Sequence, residues 1–300
     1  MFRLRLLAAL VLAPFSSASA DPAAMPVPGV KHVVLIGFDG FGAYAYPKAE
    51  MPRLKALVAS GSSTFVNRTV LGSSSAQNWA SHLMGAGPEL HGYTDWNTVK
   101  PNPPSRVLNK YGMFPGIFGE MRQQRPDAKL GVVYNWGGIK ALYENKAVDF
   151  QQNTQTMEQT SVVFANYLLK EKPTLAFVHF NEPDTTGHGP GHDTPEYYEA
   201  LKGCDKQLGR ILDAIKEAGM NDDTIVMVVA DHGGIGKGHG GKTLQEMQTP
   251  WVIAGPGVKA GYTIQATTMN YDTAPTIAYI FGLTPPEVWR GRPVKEVFGK

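Results

Sequence analysis

The chain has 300 residues, 43% of them hydrophobic and 18% charged, with a formal net charge of +2 at neutral pH. That is the composition of a globular protein with enough apolar residues for a sizeable core. No Lys/Arg cluster offers a footprint for a phosphate backbone, which argues against nucleic acid as a partner, and no fixed-period repeat suggests a solenoid or propeller.

The N-terminal stretch MFRLRLLAALVLAPFSSASADPAA places Arg3 and Arg5 before a short apolar run from Leu6 to Phe15. Ala18-Ser19-Ala20 then matches a small-residue cleavage site, so residues 1–20 are expected to be a secretory signal peptide. The run is too short to span a bilayer, and no later segment is long and apolar enough to do so. Residues 21–300 are therefore expected to form one exported domain, periplasmic or secreted. Nothing resembling a Pro/Ser-rich linker divides it.

Further along, HVVLIGF (His32 to Phe38) reads as a buried strand, and MPRLKALVAS as a helix with Leu54, Leu57 and Val58 on one face. GSSSAQNWASH (Gly72 to His82) is a polar turn running into a helix. Its serines suit either an N-cap or a nucleophile. GIFGEMRQQ is helical, LGVVYNW (Leu130 to Trp136) a strand, QTSVVFANYLLK a helix and LAFVHF (Leu175 to Phe180) a strand. The longest helix is expected from Glu196 to Ala218, closed by Gly219. Its Cys204, the single cysteine of the chain, reads as a packing residue, and one thiol makes neither a disulfide nor a metal cluster. Strands follow at TIVMVVA (Thr224 to Ala230) and PWVIAG (Pro250 to Gly255), then a helix that starts at Asp272 and stops at Gly282. Nearly continuous apolar strands alternating with helices predict an α/β fold, with a mostly parallel central sheet sandwiched between helices.

Three of these strands run into an aspartate: Asp39, Asp184 and Asp231. Parallel strands bring their carboxyl ends to one sheet edge, where ligands bind in open α/β sheets. Three carboxylates there repel one another unless a cation lies between them. His188, His232 and His239 follow closely, among glycines whose low helix and strand preference calls for some other constraint; metal ligation is one. Any one of these motifs alone also fits a turn or an N-cap.

Taken together and in this order, IGFDGFG, SAQNWASHLMGAGPELHG, NEPDTTGHGPGH and ADHGGIGKGHGG resemble the alkaline phosphatase superfamily, in particular its type I phosphodiesterase/nucleotide pyrophosphatase branch. The resemblance runs from about Lys31 to the helix after Asp272. It implies two zinc ions, one held by Asp184, His188 and His239, the other by Asp39, Asp231, His232 and the nucleophile oxygen. Imidazole with carboxylate is a donor set that suits zinc. In a two-metal site, one ion serves the attacking oxygen and the other the leaving oxygen. Gly85, Pro88, Glu89, His91 and Gly92 match the family's frame downstream of its nucleophile. Counting back from that frame gives Asn78 as the motif asparagine and Ser75 as the nucleophile, with serine where relatives often carry threonine.

Ser75 at the start of a helix would sit where N–H groups can meet a phosphate, and Asn78 is expected to hold a phosphoryl oxygen. With no arginine in the nucleophile motif, a diester monoanion is a better match than a monoester dianion. The expected activity is hydrolysis of phosphodiesters or nucleotide pyrophosphates, as small-molecule esters, through a phosphoseryl intermediate. Phosphomonoesterase, sulfatase and a zinc-binding pseudoenzyme are the alternatives; SSSAQNW lacks the proline and arginine of a formylglycine motif. Trp79 is considered for the pocket wall or the core, and Lys237 and Lys242 for contact with an anion or simple solvation.

Overall fold

A computed structural model describes residues 26–299. The expected signal peptide lies outside the described residues. Eight strands form one sheet: β1 (His32–Phe38), β2 (Ser62–Arg68), β3 (Leu130–Tyr134), β4 (Phe150–Asn153), β5 (Leu175–Phe180), β6 (Thr224–Val229), β7 (Gln248–Ala254) and β8 (Tyr262–Thr263). Their order across the sheet is β4-β3-β5-β1-β6-β7-β2-β8. All neighbours are parallel except where β7 meets β6 and β2, so β7 alone runs in reverse. The helices are α1 (Pro52–Ser60), α2 (Ser75–Met84), α3 (Pro88–His91), α4 (Ile117–Gln124), α5 (Met157–Glu171), α6 (Asp184–His188), α7 (Pro195–Glu217), α8 (Leu244–Met247) and α9 (Thr273–Ile280).

The continuous apolar runs have a direct cause. Side chains alternate across a strand, and here both faces are covered. On β1, Val33 and Leu35 enter the core shared with α2, α4 and α9, whereas Val34, Ile36 and Phe38 enter the core under α1, α5 and α7. On β6, Ile225 and Met227 take the first side, Val226 and Val228 the second. The helices show matching faces: Leu54 and Leu57 of α1 meet Leu201, Leu208 and Ile211 of α7 in the second core. Buried Asp205 of α7 accepts hydrogen bonds from the Arg53 and Leu54 amides, so a carboxylate satisfies the start of α1. Thr194 caps α7 by accepting from the Tyr197 amide, and Gly219 follows in the left-handed conformation at φ 68°. Cys204 is fully buried, as expected of a packing residue.

β2 and β4 carry no apolar-run signal. β2 reads SSTFVNR and β4 reads FQQN, an edge strand that is largely exposed. Neither has the Val/Ile content that marks the central strands.

The helix that begins at Ser75 is buried on every side, although half of it is polar. Its polar side chains are therefore paired internally. The Trp251 indole donates to Thr273 Oγ1, 3.0 Å away, and that oxygen lies 2.8 Å from His82 Nδ1. His82 Nε2 faces the Ala230 carbonyl at 3.1 Å, which can only accept, so the ring is the neutral Nε2–H form. Burial depresses the pKa of His82 and of His91 to about 3 each. A folded pKa below the unfolded value of about 6.5 means that stability is present above that value and is lost as pH falls toward 3. Unfolding free energy measured by denaturant titration should therefore drop on acidification below about pH 6.5, by up to about 1.4 kcal/mol per pH unit for each ring. Replacing both rings with Gln should flatten that slope; an unchanged slope would show that other groups carry it.

Candidate active site

β1 lies between β5 and β6, with Phe38 opposite Phe180 and Gly37 opposite Val229. That register delivers Asp39, Asp184 and Asp231 to one edge. Backbone hydrogen bonds fix the arrangement: the Asp39 amide donates to Phe180 O, and the Asp184 amide to Asp39 O. Ser75 is the first residue of α2, preceded by Ser74 in extended conformation. Its Oγ lies 3.4 Å from Asp39 Oδ1 and 3.1 Å from His232 Nε2. His232 Nε2 is also 3.2 Å from Asp231 Oδ2 and 3.4 Å from Asp39 Oδ1.

The three histidines are oriented in one way. His188 Nδ1 faces Lys237 O at 3.0 Å, His232 Nδ1 faces Gly233 O at 2.8 Å, and His239 Nδ1 faces Ser73 O at 3.0 Å. A carbonyl only accepts, so each Nδ1 donates, and in the neutral ring each Nε2 keeps its lone pair. Those lone pairs converge: His188 Nε2 and His239 Nε2 are 3.1 Å apart, and they lie 3.3 and 3.7 Å from Asp184 oxygens.

Asp184, His188 and His239 form one compact donor group, and Asp39, Asp184 and His232 a second. Asp184 thus stands between the two. Asp231 belongs to neither trio, but its Oδ2 is buried without a hydrogen-bond partner, as is Asp184 Oδ1. Burial and the negative charges of Asp39 and Asp184 push Asp231 well above the usual carboxylate range. For Asp39, burial also opposes ionisation, but the His179 hydrogen bond and the nearby His232 hold it below its ordinary value. Orphaned carboxylate oxygens beside converging imidazole lone pairs are a donor set that fits a divalent metal, and carboxylate plus imidazole fits zinc.

Residues 33–237 match the model of the type I phosphodiesterase / nucleotide pyrophosphatase family. The chain belongs to this family. Mouse ectonucleotide pyrophosphatase/phosphodiesterase family member 7 is 23% identical over 225 residues, 69% of this chain and 51% of that protein. Venom phosphodiesterase 2 of Crotalus adamanteus is 25% identical over 219 residues, 67% of this chain and 26% of the venom enzyme. The alignments thus span about half of the first relative and a quarter of the second. Among solved structures, murine ectonucleotide pyrophosphatase/phosphodiesterase 5, in an inactive form in complex with AMP, superposes with a TM-score of 0.75 at 14% identity, covering 90% of this chain and 100% of that one. The fold is that of the alkaline phosphatase superfamily.

A pocket of about 460 Å³ opens over this phosphodiesterase-family site. Asp39, Ser75, Asp184, His188 and His239 line its floor, and Trp96, Trp136, Asn181 and Thr185 its walls. None of those wall residues was singled out from sequence. Trp136 and Asn181 lie just past the ends of β3 and β5, where position alone marked them. Trp96 belongs to an irregular loop and reaches the site because the Ala76 amide donates to its carbonyl. That bond also withdraws one of the helix N-terminal N–H groups expected to face a phosphate. His192 was likewise missed. Its ring is buried, with both nitrogens unpartnered, 3.9 Å from Asp184 Oδ1. A Cβ on Gly187 or Gly234 would come within 2.4 or 2.2 Å of that ring, so two of the crowded glycines make room for it. A larger hollow between α1, α5 and α7, about 650 Å³, contains none of these side chains.

Asn78 does not reach the pocket. It is fully buried; its Oδ1 accepts from the Val70 amide and Asn270 Nδ2, and its Nδ2 donates to Gly72 O and Ser74 O. All four hydrogen-bonding positions are occupied, so the expected contact with a phosphoryl oxygen gives way to a brace on the loop that carries Ser75. Trp79 is also wholly buried rather than on the pocket wall. Ser73 is more than a loop residue: its carbonyl faces His239, and its Oγ donates to Gly241 O. Lys237 and Lys242 are exposed. Asn78→Ala strands the Val70 amide and the Asn270 side chain in a dry interior, and should lower stability by about 2–4 kcal/mol in denaturant titrations. A loss below about 0.5 kcal/mol would show that the brace is not a structural element.

Proposed function

We propose that the chain is a metal-dependent hydrolase of phosphodiesters or nucleotide pyrophosphates with Ser75 as nucleophile. The observation that carries this reading is the position of Ser75 Oγ, 3.1 Å from an imidazole Nε2 whose other nitrogen is anchored on a carbonyl. Two zinc ions, one on Asp184, His188 and His239 and the other on Asp39, Asp231, His232 and Ser75, would favour the ionised Ser75 oxygen and offset charge on the leaving oxygen. Ser75 Oγ, its proton passing to solvent, then attacks phosphorus. The P–O bond to the leaving group breaks, and that oxygen departs with its organic group and takes up a proton. Ser75 is left in phosphoseryl linkage as a diester that keeps the other organic group. Water next attacks phosphorus from the side the leaving group vacated. Phosphate monoester is released and the Ser75 side chain is regenerated.

The pocket walls favour a diester. No Lys or Arg side chain lines the pocket among the described residues, which suits a monoanion better than a dianion. Trp96 and Trp136 offer aromatic surface to a flat leaving group such as a nucleoside, and the AMP carried by the murine relative has that chemistry. On the same reading residues 1–20 direct export and residues 21–300 form one catalytic domain. The exported protein should then begin at Asp21 by N-terminal sequencing, and recovery of an uncut chain from the cytoplasm would reject this.

Turnover of a nitrophenyl diester should exceed that of the corresponding monoester and sulfate ester. The reverse order would overturn the diester assignment. Ser75→Ala should lower kcat by at least ~10³-fold while two zinc ions per chain remain by elemental analysis, with Ser74→Ala close to wild type. Chelation should abolish activity and zinc should restore it. Full activity in metal-stripped protein would exclude the mechanism.

A further inference from the structure

Asp39 presents its two carboxylate oxygens to different surroundings. Oδ1 faces the site, 3.4 Å from both Ser75 Oγ and His232 Nε2. Oδ2 faces the interior and accepts from Trp79 Nε1 at 2.9 Å and from His179 Nε2 at 3.0 Å. Two N–H donors on one oxygen fix the rotation of the carboxylate and leave only the other oxygen for the site. The donors come from separate elements. His179 lies on β5 directly opposite Gly37 of β1. Trp79 lies on α2 one turn after Ser75, on the same helix face.

The local sequence makes room for this contact. A Cβ on Gly37 would lie 2.4 Å from Trp79 Cη2 and 2.7 Å from Cζ3. Glycine two residues before Asp39 therefore opens the slot through which the indole reaches the carboxylate. The Trp79 ring meets the His179 ring edge-on, with centroids 5.0 Å apart. Through Ser75 and Trp79, a single turn of α2 thus contacts both oxygens of Asp39.

We propose that Trp79 and His179 are positioning residues that hold Asp39 as a one-oxygen ligand aimed at Ser75, with Gly37 as the slot that admits the indole. This rests on the two-metal reading above for its catalytic meaning, but the clamp itself is testable without it. Trp79→Phe keeps a ring in the slot and removes the N–H; His179→Phe removes the other donor, and His179→Gln keeps one. In chelator competition, Trp79→Phe and His179→Phe should each weaken one of the two zinc-binding steps by about 10–100-fold, with the other step within about two-fold of wild type. kcat at saturating zinc should fall while KM changes little, and His179→Gln should recover most of both effects. Melting of the metal-free protein should fall in both Trp79→Phe and His179→Phe, because a buried carboxylate loses a donor, so selective loss of one zinc-binding step is the reading that separates positioning from packing.

Unaltered zinc affinities would overturn the proposal. So would an equal fall in both zinc-binding steps, which marks a packing role only. Independently of zinc and of turnover, the Trp79 indole N–H of wild type should give a downfield, slowly exchanging proton resonance that moves in Asp39→Asn. A resonance indifferent to that change would refute the clamp, whereas absent diesterase activity with the resonance shift intact would refute the functional reading alone.

Discussion

Three carboxylates at the ends of adjacent strands cannot all be ionised, buried and close without a compensating charge. This constraint organises the site. Parallel pairing of β1 with β5 and β6 forces Asp39, Asp184 and Asp231 together, and burial denies Asp39 and Asp231 bulk water, whereas Asp184 is partly exposed at the pocket. Partial relief comes from nitrogen donors: the Gly40 amide on Asp231, and Trp79 and His179 on Asp39. What they leave unmatched lies beside imidazole nitrogens: Asp231 Oδ2 is 3.2 Å from His232 Nε2, and Asp184 Oδ1 is 3.7 Å from His239 Nε2. The same geometry that makes the cluster costly alone makes it a candidate cation site.

The loops around the cluster follow from the need to aim those imidazoles. A histidine ring is directed by what its second nitrogen bonds, and all three rings here are held by backbone carbonyls. Carbonyls of Lys237, Gly233 and Ser73 can turn inward only where the chain bends sharply. Glycine permits that at Gly236 and Gly240, both with positive φ. The Ser73 carbonyl also ties the Ser75 loop to the His239 loop. Displacement of one loop therefore shifts both His239 and Ser75.

Much of this was legible in the chain because the central strands are apolar on both faces and end in charge. Asp39, Asp184 and Asp231 share one sheet edge as their strand-end positions implied, His188, His232 and His239 lie beside them as the family resemblance implied, and Ser75 faces His232. The partners of these residues were not legible. Asn78 sits in a motif position that suggests contact with substrate, yet helix α2 is buried all round and turns its amide inward. Trp79, His179 and His192 lie on apolar or glycine-rich stretches, where a ring reads as packing, and only the register of β1 with β5 shows His179 beside Asp39. Trp96 comes from a loop with no periodic pattern, so its approach to the pocket is a tertiary fact. β2 escaped because a half-polar strand next to a reversed neighbour has neither the continuous nor the alternating signature.

The choice among three consecutive serines now has a physical basis. Ser73 Oγ donates to the Gly241 carbonyl and accepts from the Gly240 amide, so its hydroxyl is fully engaged in holding two loops. Ser74 precedes the helix in extended conformation, and its carbonyl accepts from both the Asn78 amide and side chain. Ser75 alone turns its hydroxyl toward a carboxylate oxygen and an imidazole nitrogen at the floor of the pocket. Its backbone belongs to a helix packed on all sides, so the proposed nucleophile rests on one of the least mobile kinds of support a fold provides. A serine run that is uniform in sequence is thus divided by structure into a loop tie, a helix entry and a hydroxyl that faces the carboxylate–imidazole cluster.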